Sequence, residues 1–553
     1  MKHRLLICLL LALFGVLFLH TAWENSPTWD EVGYLGLGAY LLEHGRWDVP
    51  AACSHPPLAY YLHGLPALLY PLDPAPWRYP GRPADDLGYL RSADPARGNA
   101  VLLDPGYDGE RLFFYCRAAS LAFAALLFSV LHRWAGTLYG PGRAVLVLFL
   151  LALSPEVLAH GPLITTDFAL ATAFVAAVYA FRQLVRQPSP WWLLAAGGSL
   201  GLALLSKLSA LVLVPALALT LAAFLLLASP VERQAFRCPL LARGRAGSVW
   251  LQALAAYLVV LLTAGLTVWG GYGFRVEPYL LTLRSQQGDL AAGHEAYLMG
   301  RYSAHGWWYY YPLAFLIKTP LPLLFLSGLG LWSWWRDRGV APRQELVFLL
   351  LPPLLLAATF LWGGKDIGLR YLLPVYPFLC LLAGRALPCP GAAWRKYLLV
   401  GLCAWYAVGT LRIHPHHLSY FNELVGGPAN GYRYLVDSNL DWGQDLKGLK
   451  RYMDRQGIER IKLSYFGTVD PALYGLQYDW LPSFVLPVPP GTQAAMPATG
   501  LIAISATNLV GVYLGGYGHG RELFAYLRRY APIARIGYSI FVYRIPEQTV
   551  PAP

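Results

Sequence analysis

Charge is what this sequence lacks. Of its 553 residues, 13% are Asp, Glu, Lys or Arg and 56% are hydrophobic, whereas a soluble domain carries roughly 25% charged residues. Apolar runs of about 18–22 residues recur along it, each long enough to cross a bilayer. A water-soluble globular chain is therefore excluded. Cysteine is sparse too, seven in all. Cys8, Cys116, Cys380 and Cys403 fall in apolar runs, Cys238 and Cys389 on the basic side, and only Cys53 on the other. No external pair is left, so no disulfide framework is expected. There is no internal repeat, no low-complexity tract and no nucleotide- or nucleic-acid-binding pattern. The net charge of +12 has a nearer use in fixing membrane orientation.

The apolar runs place about eleven transmembrane helices near 4–22, 111–133, 143–161, 167–185, 191–206, 208–228, 249–270, 308–334, 345–362, 371–388 and 396–412. The short loops between them sort into two sets. One is rich in Lys and Arg (Lys2 and Arg4, Arg133 and Arg143, Arg182 and Arg186, then the runs at 233–245, 336–343 and 385–396). The alternate set is poor: "HGPLITTD" has none, and "GGKDIGLR" has only Lys365 and Arg370. The positive-inside rule then puts the N-terminus in the cytoplasm and, with an odd number of spans, the C-terminal segment outside. The bulky "FLHTAWEN" after the first run offers no small-x-small cleavage site, so that run reads as a retained span. Ile7 before Cys8 also argues against a lipoprotein signal.

Two segments outside the membrane are long. In the first outer loop, 24–110, "EVGYLGLGAYLLEHG" and "PPLAYYLHGLPALLYP" carry apolar residues at helical spacing and read as interfacial helices. The stretch from Pro74 to Gly109 reads as loop. In the second segment, 413–553, "YRYLVDS", "IERIKLSYFG", "LIAISATN" and "ARIGYSIFVYRI" have strand composition. Leu446, Leu449, Tyr452 and Met453 form a helical stripe before Gly457, a plausible C-cap. Alternating strand and helix points to a small C-terminal α/β domain outside the cytoplasm. The fold class is thus a polytopic α-helical membrane protein, with a transmembrane domain over 1–412 and that α/β domain over 413–553.

The ordered set "TWDEVGY…HPPL", "PLITTDFAL", "LLSKLSALVLVPAL", "HEAYLMGRYSAHGWWYYYPLAFLIKTPLPLL" and "LRYLLPVYPFL" resembles the membrane glycosyltransferases of the C-type fold. Within them it resembles the group of the protein O-mannosyltransferases and the lipid A aminoarabinose transferase. The likeness spans residues 1–412. The tail, with "YFNELVGG" and "DSNLDWGQDL", resembles extensions of bacterial members with no assigned acceptor. The resemblance implies an enzyme of the cytoplasmic (inner) membrane, with membrane lipid around it. It would move a sugar from a polyprenyl-phosphate donor (undecaprenyl phosphate in bacteria) to a glycan, lipid or protein acceptor on the outer side, with inversion by direct displacement.

That chemistry needs a base for the acceptor hydroxyl and cations for the departing phosphate. Asp30 follows the first span on the outer side and begins a helix, and the resemblance maps the catalytic aspartate onto it. Glu31 beside it orients Asp30, binds a cation, or only complements the helix dipole, which is also the bland reading of the pair. Asp167, in the second outer loop, is the other acidic candidate; its plain role would be the first turn of a helix. A divalent metal ion between the two carboxylates is an open alternative. For the phosphate, the candidates are His55 in "SHPPL", Lys207 in "LLSKLSAL", Arg370 in "GLRYLLP" and Lys318 in "LAFLIKTPLPLL". Arginine grips phosphate with two parallel bonds, a lone lysine can merely snorkel, and an intramembrane charge needs a partner or a purpose. His294 is a candidate for phosphate or metal, and Trp307–Tyr311 reads as an interface belt.

Three patterns are discounted. "GGSLG" (Gly197–Gly201) matches the serine-hydrolase pattern but lies within an apolar span, where close helix packing explains it better. "DSNLDWG" has its glycine one place late for a calcium loop, and Gly448 stands where such a loop needs Glu. "HPHH" (His414–His417) is as well explained by a polar exit from the last span. The rival class is a transporter or flippase of lipid-linked sugars. Such proteins place ionisable groups at the bilayer midplane within repeated halves, and here the acids lie in outer loops.

Overall fold

Five helices of the computed structural model are long and apolar enough to cross a membrane: Lys2–Glu24, Gly109–Tyr139, Thr166–Arg186, Leu208–Leu227 and Val249–Gly271. The structure describes the chain apart from residues 1, 46, 48–51, 53, 73–95, 237, 240–247, 337–343, 363, 387–392, 485–495, 518–519 and 547–553. Cys53, Cys389 and most of the expected 74–109 loop lie outside the described residues. A sixth span is counted if Tyr310–Lys318 and Leu321–Arg336, bent by 105°, cross together. The bend follows from Pro320, which lacks an N–H donor and pushes Thr319 before it out of the helical region. Thr319 accordingly has extended backbone. Shorter apolar helices, among them Pro141–Ala152, Pro190–Leu204, Glu345–Thr359 and Leu369–Ala383, complete the bundle. The chain is a multi-span helical membrane protein.

Close packing explains "GGSLG". Gly197 and Gly201, one helical turn apart, abut Val249–Gly271: a Cβ on them would lie 2.4 Å from the Thr263 Cβ and 2.5 Å from the Thr267 Cβ respectively. Small residues four apart let two helix backbones approach in this way. Ser199 between them turns its hydroxyl back to the Ala195 carbonyl, 2.6 Å away.

The start of the first outer loop folds as the short helices Trp29–Tyr34, Leu37–His44 and Leu58–Gly64. The last two cross at Gly38 and Gly64. A Cβ on Gly38 would stand 1.7 Å from the Tyr60 carbonyl oxygen, so only glycine admits this contact.

After the helix Ala393–Ile413, the tail carries a five-stranded mixed sheet. Its strands are β3 (Ile461–Ser464), β4 (Tyr478–Trp480), β5 (Gly500–Ser505), β6 (Ala534–Ile536) and β7 (Ile540–Ile545), in the order β4-β3-β5-β7-β6. β3 pairs in parallel with β4 and β5, and β7 is antiparallel to β5 and β6. A separate hairpin, β1 (Ala296–Leu298) and β2 (Arg301–Ser303), lies earlier in the chain. The expected helix forms over Leu446–Gln456 and ends at Gly457, which is left-handed. Three of the four expected strand stretches form strands. "YRYLVDS" does not: its ends lie in 3₁₀ turns, Pro428–Arg433 and Asp437–Asn439, where the Ser438 hydroxyl donates to the Ile367 carbonyl and the Asp437 carboxylate accepts from Tyr513.

The tail is not a detached module. Leu446, Leu449, Met453, Leu463 and Val542 share one apolar core with Val32, Leu35, Leu112, Phe113 and Ile164. The helix that begins the first outer loop is thus packed between the membrane helices and the tail.

Candidate active site

Asp30 and Glu31 are neighbours in sequence that face apart. Successive helical residues are rotated by about 100°, and the Trp29–Tyr34 helix uses this to separate the two carboxylates. Glu31 is wholly buried. It accepts from the backbone N–H and the hydroxyl of Thr28 (2.8 and 2.9 Å), from the Ile164 N–H (2.8 Å), and from Arg117 through Nε (2.9 Å) and a second nitrogen (2.5 Å). Arg117, also fully buried, donates further to the carbonyls of Ala22, Asn25 and Ser26. The ion pair therefore ties the end of the first span to the helix at 117 and to the turn at 164, just before the Thr166–Arg186 helix. Breaking one side of such a pair costs about 3–5 kcal/mol, because the other charge is left buried alone.

Asp30 turns to a cavity of about 380 Å³, whose wall also holds His55, His294, Lys365 and Arg370. Arg370 donates to Asp30 at 2.8 Å and to Asp167 at 3.4 Å. Lys207 donates to the other oxygen of Asp167 at 2.6 Å. Asp167 and Lys207 lie buried behind the wall. Two carboxylates and two cations thus alternate as Asp30, Arg370, Asp167, Lys207. The Arg370 Nε is buried and has no hydrogen-bond acceptor among the described residues. Aromatic faces cover both cations: Trp442 lies 4.1 Å from the Arg370 guanidinium, and Tyr371 4.1 Å from the Lys207 ammonium. Burial, reinforced by the Lys207 ammonium, holds the His55 imidazole well below its ordinary range, so it is neutral at pH 7.

Two sequence candidates divide on geometry. His294 lines the cavity, bonded through Nδ1 to the Glu295 carbonyl and edge-on to Tyr513. Lys318 does not line it. At the helix bend, fully buried, it donates to the carbonyls of Leu418 (2.9 Å), Tyr420 (3.2 Å) and Asn439 (2.6 Å) and faces Glu156 at 3.5 Å. A divalent ion between Asp30 and Asp167 does not fit this arrangement, since the Arg370 guanidinium occupies the position between them. Among the described residues no group of three or more His, Cys, Asp or Glu is placed to hold a metal.

Residues that the sequence pattern does not assign to the site complete it. Lys365 pairs with Asp289 at 3.3 Å, and Gln286 donates to the Ser54 carbonyl beside His55. The larger omission is the tail segment 437–444. Its Trp442 carbonyl accepts the Trp29 N–H (2.9 Å) and its Gln444 carbonyl the Ser26 N–H (2.8 Å). Asn439 Oδ1 accepts the Leu369 N–H (2.9 Å), and the Ser438 hydroxyl donates to the Ile367 carbonyl (2.8 Å). A Cβ on Gly368 would lie 2.1 Å from that hydroxyl. One segment thus holds both the Asp30 helix and the Arg370 turn. The density of Asp, Asn, Ser and Gln in "DSNLDWGQ" was the available signal, since such side chains satisfy backbone groups of neighbouring loops.

Residues 111–269 match the family model described as dolichyl-phosphate-mannose-protein mannosyltransferase. The match bears out, over that segment, the resemblance to glycosyltransferases that depend on lipid-phosphate sugars. Among curated proteins no significant match is found. Among solved structures, ArnT from Cupriavidus metallidurans bound to undecaprenyl phosphate is similar at 14% identity, with 97% of each chain covered and a TM-score of 0.48. The Pmt1-Pmt2 protein O-mannosyltransferase of S. cerevisiae bound to its sugar donor is 19% identical, with 50% of this chain and 34% of that chain covered and a TM-score of 0.32. The Archaeoglobus fulgidus oligosaccharyltransferase AglB, in complex with an inhibitory peptide and a dolichol-phosphate, is 13% identical, with 73% and 55% covered and a TM-score of 0.40.

The segment that holds the site contains its own titration. Asp441 is fully buried; its Oδ2 accepts the Thr507 N–H at 2.8 Å and its Oδ1 has no acceptor or donor partner among the described residues. Burial pushes its carboxyl up to about 8, against the opposing pull of the Thr507 N–H. A carboxyl raised on folding favours the folded state when protonated, so its contribution is complete below the unfolded value near 4 and is lost as pH rises towards 8. Asp441→Asn should therefore come closest to the wild type in thermal stability at about pH 4 and exceed it increasingly up to about pH 8.5. A parallel pH dependence in both proteins would show that Asp441 does not titrate in this range.

Proposed function

We propose that this chain is a membrane glycosyltransferase that moves a sugar from a polyprenyl-phosphate donor to an acceptor outside the cytoplasmic membrane, with Asp30 as general base. The observation that carries this reading is the pairing of Asp30 with Arg370 on the cavity wall, backed by Asp167 and Lys207. An acceptor hydroxyl beside Asp30 gives its proton to the carboxylate as its oxygen bonds to the anomeric carbon. The bond from that carbon to the phosphate oxygen breaks in the same step. The phosphate leaves with the electron pair and is stabilised by the charge of the Arg370 guanidinium on the cavity wall. Asp167 and Lys207 set the position and charge of Arg370, and Glu31 positions Asp30 through Arg117. Neutral His55 serves as a hydrogen-bond donor to the phosphate without adding charge, and His294 faces the same space.

The site belongs where lipid and water meet, because donor and acceptor partition differently. In this reading the shorter apolar helices bring the spans to about eleven, and residues 1–412 form the transferase domain. The helices of the first outer loop lie at the outer interface, and residues 413–553 form an extracytoplasmic domain. A transporter or flippase of lipid-linked sugars is less well supported. The break between Tyr310–Lys318 and Leu321–Arg336 resembles a discontinuous transporter helix, yet its lysine is sealed by tail carbonyls and does not face the cavity.

Orientation is tested directly. In a background without native cysteines, Gly515→Cys should react with a membrane-impermeant thiol reagent in intact cells whose outer membrane, where present, is permeabilised. Gln187→Cys should react only after lysis. The reverse pattern would place the site on the cytoplasmic side and end this reading.

The two roles at the cavity separate by kinetics. Asp30→Asn keeps the shape and loses the proton acceptor, so turnover should fall about 10²–10⁴-fold with polyprenyl-phosphate binding intact. Arg370→Lys keeps the charge and loses the two-pronged grip, so polyprenyl-phosphate affinity should fall in a protein that still purifies as a folded species. Unchanged turnover in the first variant, or unchanged binding in the second, would remove that residue from its assigned role.

A further inference from the structure

A second cavity, about 410 Å³, lies where the β1–β2 hairpin meets the tail. Its size is within the roughly 300–1,000 Å³ of small-molecule sites. It shares the hairpin with the first cavity: Gly293 and His294, just before β1, line the transfer site, whereas Tyr297 and Tyr302 line this one. Six of its fifteen lining residues are aromatic, and the hydroxyls of Tyr297 and Tyr302 are committed to backbone. Tyr297 donates to the Arg433 carbonyl (3.3 Å) and Tyr302 to the Val510 carbonyl (2.7 Å); Tyr297 is buried against the Tyr302 ring, and the half-buried rings of Tyr302, Tyr432 and Tyr530 supply the accessible aromatic surface. Tyr432 and Phe541 meet at 5.0 Å as a further aromatic pair on the wall.

Positive charge frames these rings. Arg528 is paired with Glu522 at 3.0 Å. Arg433 and Arg535 line the same cavity and have no carboxylate partner among the described residues. Arg535 donates to the Ala429 carbonyl and lies over Phe541, and the Arg433 guanidinium lies 5.8 Å from the Tyr432 ring; both side chains are exposed and keep donors in reserve. The hairpin tip, Met299 and Gly300, lies on the wall of the cleft. Met299 is left-handed at φ 50°, and its N–H is bonded to the Tyr434 carbonyl at 3.0 Å. Met299 and Gly300 form the two-residue turn of the hairpin, which needs positive φ at both positions.

We propose that this cleft binds an acidic saccharide and so holds an anionic glycan acceptor next to the transfer site. The apolar C–H face of a pyranose ring would lose water against the tyrosine faces, while a carboxylate would accept paired hydrogen bonds from Arg433 or Arg535. Neutral sugars would gain only the first contribution and acidic peptides only the second. That the bound glycan is an acceptor rests on the transferase reading; that the cleft binds it does not.

The test is calorimetric titration of the full-length protein in nanodiscs with tetragalacturonate, maltotetraose and tetraglutamate at low salt. Tetragalacturonate should bind at least tenfold more tightly than either of the others. Arg433→Ala combined with Arg535→Ala should weaken it at least tenfold, and Asp30→Asn should bind it like the wild type. Both arginines are exposed, so their loss should leave the melting temperature unchanged. Absence of tetragalacturonate binding, equal affinity for tetraglutamate, or indifference to the double arginine substitution would overturn the proposal. An Asp30→Asn protein with full turnover would instead strike at the transfer mechanism and leave the cleft standing as a binding site.

Discussion

The position of the Arg370 guanidinium is the constraint on which the rest of this structure turns. It sits between the carboxylates of Asp30 and Asp167, with Lys207 closing the series and Trp442 covering its face. All of these groups but Asp30 are buried, and each comes from a different part of the chain. Buried charges are tolerated when paired and costly when a partner is lost. The first outer loop, the helix at 166–186, the turn at 369–375 and the tail must therefore assemble together. The tail contributes no charge to this series. It contributes the ring over Arg370 and the backbone bonds that hold the Asp30 helix and the Arg370 turn at a fixed separation.

The Asp-Glu pair shows how one short helix serves two purposes. Glu31 gives up solvent entirely and gathers Arg117, Thr28 and the Ile164 N–H. This knot fixes the helix axis and its rotation. Asp30, one residue earlier, is thereby aimed at the cavity and remains partly accessible, with 22% of its side chain exposed. A reactive carboxylate needs accessibility to meet a substrate and rigidity to meet it well. Here the rigidity comes from its neighbour.

Much of the architecture was legible in the sequence because the physics behind it is local. Apolar run length marked the five long spans, a helical stripe with a following glycine marked Leu446–Gln456, and glycines four apart marked a helix contact. The grouping of Asp30, Asp167, Lys207 and Arg370 was also within reach, since each is a charge at the edge of an apolar run. The roles that depend on distant partners were not. Lys318 reads as a ligand candidate because an intramembrane lysine needs a partner, but nothing near it in sequence says that three tail carbonyls supply one. "YRYLVDS" has strand composition, yet its last residue, Ser438, and Asn439 just beyond it bond to the Arg370 loop and hold this end of the segment in a turn. β4, three residues long, carries too little pattern to be seen before its parallel partner β3 is in place.

The most direct measurement of the central claim is made in cells, where neither sugar nor acceptor need be known beforehand. Lipid extracts from cells that carry the wild-type gene, lack it, or carry only Asp30→Asn would be compared by mass spectrometry. The account predicts that the same polyprenyl-phosphate-linked sugar accumulates in the second and third strains and that one glycoconjugate disappears from both. An Asp30→Asn strain that expresses the protein at normal level and is indistinguishable from the wild type would contradict it.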